Sequence, residues 1–132
     1  MDVRAQAFLE GVRLFNEGHY WHAHEEWEAC WRAAAEPEAT FYKGIIQAAA
    51  ALVHWQRHNR RGLIRNWAKS RPKLVAVVPL VDMADIPGLI AAMDRLVIAG
   101  GAESPPHLRV PGASMLSKGA CTMGFSGRAC PP

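Results

Sequence analysis

Apolar side chains recur at three- and four-residue spacing through most of the first hundred residues, and that period belongs to helices that each bury one face. Ala5, Phe8, Leu9, Val12 and Phe15 make the first stripe, with Asp2 placed to cap it and Gly18 to end it. A second helix is expected from His19 or Tyr20 to Ala35, stopping ahead of Pro37 because proline disfavours helical backbone in the residue before it. Thr40 reads as the N-cap of a third, with Phe41, Ile45, Ala48, Leu52 and Trp55 as its buried stripe. The fourth is expected from about Arg60, with Leu63, Ile64, Trp67, Leu74 and Val78 inward, and Pro72 inside it predicts a kink or a split. The valines near Leu74 to Val78 also suit a strand, but a lone strand has nothing to pair with. Asp85 caps a fifth helix through Leu89, Met93, Leu96 and Val97, closed by Gly100 and Gly101. The fold class is therefore all-α, a compact bundle of about five helices.

Size agrees with one core of that kind. The chain has 132 residues, half of them apolar and a fifth charged, which is too hydrophobic for a disordered polymer. Its longest uncharged run, Gly44 to Gln56, has thirteen residues, too few to span a bilayer. No leader-like segment opens the sequence, so a cytoplasmic protein that does not engage a membrane is expected. The 33 residues from Gly100 to Pro132 contain six glycines and five prolines. The chain thus divides into a helical domain, 1–100, and a loosely structured C-terminal tail, 101–132, of which Ser104 to Val110 is placed to lie along the bundle through Leu108 and Val110. Three cysteines without repeated spacing indicate neither a disulfide framework nor a metal knuckle. Cys30 reads as a core residue.

The charges are not evenly distributed. Met1 to Thr40 holds eight acidic and three basic residues, whereas Arg57 to Lys73 holds seven basic and no acidic ones. An acidic half that packs on a basic half within one molecule or across a homo-oligomer would produce this split. So would a basic stripe, Arg57, Arg60, Arg61, Arg65 and Lys69, that follows a nucleic-acid backbone, although no helix-turn-helix, zinc finger or glycine-rich phosphate loop accompanies it.

The run from Tyr20 to Trp31, YWHAHEEWEACW, carries the unusual chemistry. On a helix His24, Trp27, Glu28 and Trp31 share one side, and Trp21, Glu25, Glu28 and Arg32 an overlapping one. Lys43, Gln47 and His54 offer a polar face on an otherwise alanine-rich third helix. Imidazole and carboxylate are ligands of zinc, manganese or iron, so His24, Glu28 and His54 form a candidate divalent-metal set, with Glu25 as a candidate general base and Gln47 and Lys43 as a supporting polar network. The alternative is a structural network that ties two helices together. The pattern is His-Glu-x-x-Glu, and the zinc-protease motif His-Glu-x-x-His is not met because position 28 is Glu. His54 and His58 form a second one-turn pair in a basic stretch where a cation is disfavoured.

The run Leu14 to Trp31, LFNEGHYWHAHEEWEACW, then Phe41 to His54, FYKGIIQAAAALVH, and the continuation from Asn59 to Trp67, resembles the small bacterial and archaeal family catalogued as domain of unknown function 309. The likeness extends over roughly Ala5 to Gly100. It implies a compact all-helical domain with its polar signature at His24, Glu25, Glu28, Gln47 and His54, and with Asn16, Gly18 and Gly44 also matching. Members have been labelled predicted metal-dependent hydrolases, a label that names no substrate. Four features depart from the pattern: Trp27 where an aliphatic residue is commoner, His58 in place of a small residue, Pro72 in the fourth helix, and the tail. Two functions stay open on this reading, a metal-dependent hydrolase and a non-enzymatic helical module.

Overall fold

The computed structural model describes residues 3–111. The expected cap at Asp2 and the tail from residue 112, with Cys121 and Cys130, lie outside them. Five helices form among the described residues: α1 (Val3–Asn16), α2 (Tyr20–Ala33), α3 (Glu38–Gln56), α4 (Arg60–Val77) and α5 (Ile86–Ile98). No strand forms among the described residues, and Leu74 to Val77 is helical. Packing is serial, α1 on α2, α2 on α3, α3 on α4 and α4 on α5.

α3 is the axis of the bundle, because its alanine-rich middle is covered on both sides. Ala48, Ala49, Ala51 and Leu52 are all fully buried, as a helix apolar around most of its girth must be. Its contact with α4 depends on Gly44, where a β-carbon would stand 2.6 Å from Leu74 Cδ2. Ser70 of α4, buried at the same place, donates its hydroxyl to the Gly44 carbonyl at 2.7 Å and so meets its own hydrogen-bonding need inside the core. On the other side Trp27 of α2 lies against α1 and donates its indole N–H to the Phe8 carbonyl at 3.1 Å. The ring occupies the space above Gly11, where any β-carbon would collide with it. The resemblance leads one to expect an aliphatic residue at Trp27, and Gly11 supplies the room for the indole.

Helix ends follow local chemistry, with two differences from expectation. Asp85 accepts from the Gly88 amide at 3.1 Å, as a cap should, and Asn59 does the same for Gly62 at 3.0 Å. Thr40 does not cap α3. The helix begins earlier, at Glu38, and the Glu36 carboxylate takes both the amide and the hydroxyl of Thr40. Pro72 neither splits α4 nor starts a strand, since the helix runs unbroken to Val77. Pro72 and Ala68 both face solvent, so the Ala68 carbonyl that loses its usual donor is left to water rather than buried. Gly18 at φ +88° ends α1 as expected, and His58 adopts φ +59° between α3 and α4. That left-handed geometry accounts for the smaller residue the resemblance leads one to expect there.

After α5 the chain returns along the bundle. Gly101 accepts from the Trp55 indole at 2.9 Å, and the Arg109 carbonyl accepts from the Asp85 amide at 2.8 Å. Leu108 is fully buried. Residues 101–111 thus form an irregular strap laid against the helices, with Leu108 as its anchor. No helix among the described residues is long and apolar enough to cross a membrane.

Candidate functional site

The residues flagged by the sequence occupy three separate settings. His24 and Glu28, one turn apart on α2, are the first: His24 Nε2 stands 3.7 Å from Glu28 Oε2, and Arg32 reaches the other carboxylate oxygen at 3.5 Å. Trp21 lies flat on the His24 ring, with centroids 5.0 Å apart and 12° between planes, while keeping half its surface in solvent. On α3 the ammonium of Lys43 sits over the Trp31 ring at 4.6 Å, an attraction of cation to aromatic face. That contact links α2 to α3, with Gln47 one turn further along α3.

Gln47 makes no hydrogen bond that ties the helices. Its Oε1 is buried without a protein partner, and so is Nδ1 of His24. Buried polar atoms in proteins are nearly always paired, so these two are hydrogen-bonding capacity that the fold itself does not use. The tie between α2 and α3 here is Lys43 on Trp31 together with apolar packing.

Glu25 belongs to the second setting. It turns outward and takes up His22 at 3.2 Å, with both side chains more than half exposed. His54 belongs to the third, at the joint between α3 and α4. Its Nδ1 lies 3.0 Å from the Asn59 side-chain nitrogen, and its ring occupies the space that a β-carbon at Gly62 would need. Sequence reasoning placed His54 with the α2 residues. The signal for the alternative was present in Asn59 and Gly62, one cap and one glycine downstream of it, which together make a socket for the ring. His58 projects from the left-handed turn and joins neither set.

A divalent ion held by His24, Glu28 and His54 would require these side chains to converge. Among the described residues no group of three or more His, Cys, Asp or Glu side chains is arranged to hold a metal ion. His24 and Glu28 are therefore two donors together, with His54 engaged at the joint of α3 and α4. A cavity of about 160 Å³ borders His58, Asn59 and Arg60 at the joint of α3 and α4, and two larger ones lie elsewhere. One of about 370 Å³ is formed between α5 and the strap by residues including Arg95, His107 and Arg109. Another, of about 380 Å³, opens beside Cys30 and Tyr42. Burial pushes the Cys30 thiol up from its ordinary value despite a hydrogen bond with Tyr42, which keeps it protonated and unreactive as a nucleophile.

Outside these settings an ion pair joins α4 to α5. Asp94 accepts from Arg71 in a two-pronged contact, at 3.0 and 2.9 Å, and from the Trp67 indole at 2.8 Å. The Arg71 hydrogen bond, aided by that of Trp67, holds the Asp94 carboxyl below the usual aspartate range against the opposing effect of partial burial.

No curated protein matches the chain. Residues 8–66 match the family described as Domain of unknown function (DUF309). The match takes in most of α1, all of α2 and α3, and the first turns of α4, including every residue of the polar signature. Through that region the chain is similar to the family Domain of unknown function (DUF309), whose description assigns no activity.

Proposed function

We propose that this domain is a non-enzymatic helical binding module in which His24 and Glu28 pair along α2 and His54 secures the joint of α3 to α4, while Gln47 Oε1 stays unbonded. The supporting observation is the dispersal of the groups a hydrolysis would need. The candidate base Glu25 is occupied with His22 at the surface, and His54 is seated against Asn59 and Gly62. Only His24 and Glu28 remain together, and Trp21 covers the imidazole. Metal-assisted hydrolysis needs a coordinated set with an open position and a cleft beside it.

The test is metal analysis of untagged full-length protein and of a His24→Ala/Glu28→Ala variant, with zinc and manganese titrated into each. The module reading expects no stoichiometric metal in either protein, together with a lower melting temperature in the variant. A bound transition metal that the double substitution abolishes would overturn it in favour of a metal-dependent hydrolase.

A further inference from the structure

α4 presents two faces of unlike chemistry. Gly62, Leu63, Trp67, Ser70, Leu74 and Val77 are buried, whereas Arg61, Arg65, Ala68, Lys69 and Pro72 are exposed. Arg57, at the end of α3, and Arg60, at the start of α4, are exposed beside them. The break at residues 57–59 means that the continuous row on one helix is Arg61, Arg65 and Lys69, with the other two cations grouped at its N-terminal end.

Of the seven cations in this stretch, Arg71 is held by Asp94, and the Lys73 ammonium donates to the Lys69 carbonyl. Arg57, Arg60, Arg61, Arg65 and Lys69 have no ion-pair partner among the described residues, and no acidic residue occurs between Arg57 and Val81. The acidic half of the sequence does not neutralise them. Its carboxylates on α1 and α2 pair locally, Glu10 and Glu17 with Arg13 and Glu28 with Arg32, and α3 packs between α2 and α4. These five exposed cations, none of them ion-paired among the described residues, make a positive surface whose mutual repulsion an external anion would relieve.

We propose that this surface binds double-stranded nucleic acid through its phosphate backbone, a partner that deepens the binding-module reading and rests on it. Arg61 to Lys69 covers about 12 Å of helix axis, or roughly three to four base-pair steps of a duplex. Four of the five cations are arginine, whose fork matches phosphate oxygens. A single strand would call for aromatic platforms among the cations. Of the nearby indoles Trp67 is buried and bonded to Asp94, and Trp55, half-buried, is committed to the Gly101 carbonyl. An anionic membrane would call for large apolar groups among the cations. Leu63, Trp67 and Leu74 face the core, Ile64 alone is exposed within the basic stretch, and Val75, Val78 and Leu80 lie past its last cation.

The experiment is fluorescence anisotropy of a DNA duplex of about 20 base pairs with the full chain, repeated with the single strand and with phosphatidylserine vesicles. Five phosphate contacts predict a slope of log K against log salt of about −4.5, which is roughly a 500-fold loss between 50 and 200 mM. Arg61→Gln/Arg65→Gln is expected to reduce the slope to about −2.7 while leaving the melting temperature in place. No duplex binding at 50 mM, a slope unchanged by the substitutions, or tighter binding to single strand or vesicle would each overturn the proposal. Absence of both duplex binding and metal would remove this partner and leave the module reading intact, whereas metal uptake lost on substitution of His24 and Glu28 would remove the module reading whatever the duplex does.

Discussion

Asn16 and Leu108 exchange two hydrogen bonds across 92 residues of sequence: the Asn16 amide donates to the Leu108 carbonyl at 3.0 Å and accepts from the Leu108 amide at 2.7 Å. One side chain thereby does for the strap what a neighbouring strand would do, satisfying both backbone groups of a residue that is itself fully buried. Asn16→Ala should leave both groups without partners and cost about 2 kcal/mol or more. Asn16→Asp, which cannot donate when ionised, should lose about half of that. Urea melts of the three proteins decide it, and equal stability in all three would show that the strap contributes nothing to folding.

Gly11 and Trp27 should behave as one unit. Gly11→Ala places a methyl group where the indole lies and should cost about 1–3 kcal/mol through overpacking. Trp27→Leu alone opens space and abandons the bond to Phe8. The double variant should be more stable than the sum of the two losses predicts, by about 1 kcal/mol, because the smaller side chain admits the methyl. A double-mutant cycle by chemical denaturation measures that coupling, and simple additivity would contradict it.

Asp94 should give the fold part of its acid sensitivity. Its carboxyl is held below the ordinary aspartate value in the folded state, chiefly by Arg71. Stability from this group is therefore fully present above the unfolded value, about pH 3.9, and is lost as pH falls through the lower folded value. Denaturation curves for the native chain and Asp94→Asn should converge below that window and separate above it, with the native chain the more stable at neutral pH. A constant difference at every pH would show that the carboxylate charge is not the source.

Gln47 offers an opposite sign. Its buried Oε1 has no protein partner, so the amide is desolvated without return. Gln47→Met keeps the length and removes the polar atoms, and should raise the melting temperature by a few degrees. A fall would mean that the amide is bonded in solution and that the polar signature binds something there.

Much of the fold was legible because helical spacing and caps are local signals. Gly18, Asp85 and the stripe from Phe41 to Leu52 sit where the pattern put them, Trp55 at its end is half-buried, and Leu108 is buried. Thr40 was misread because hydroxyl residues mark many helix starts, whereas Glu36 caps from outside by a carboxylate whose reach no spacing rule contains. Ile64 and Val78 were expected inward and are exposed, while Val77 is buried. On α4 a long apolar stretch hides which edge meets α3, and only the Gly44 contact with Leu74 settles it. The site was harder to read. One-turn spacing correctly joined His24 to Glu28, but which helix face receives His54 depends on the turn at His58 and Asn59, and a local pattern of donors does not encode it.

Serial packing also has a kinetic meaning. When each helix rests on its neighbours in sequence, most native contacts close short loops, so little chain entropy is lost before they form. Such a chain should collapse quickly, in the microsecond to millisecond range of helical bundles, without a long-range search. The contact between Asn16 and Leu108 is the exception. It spans nearly the whole described chain, and its closure should come last, as a latch over a bundle already formed.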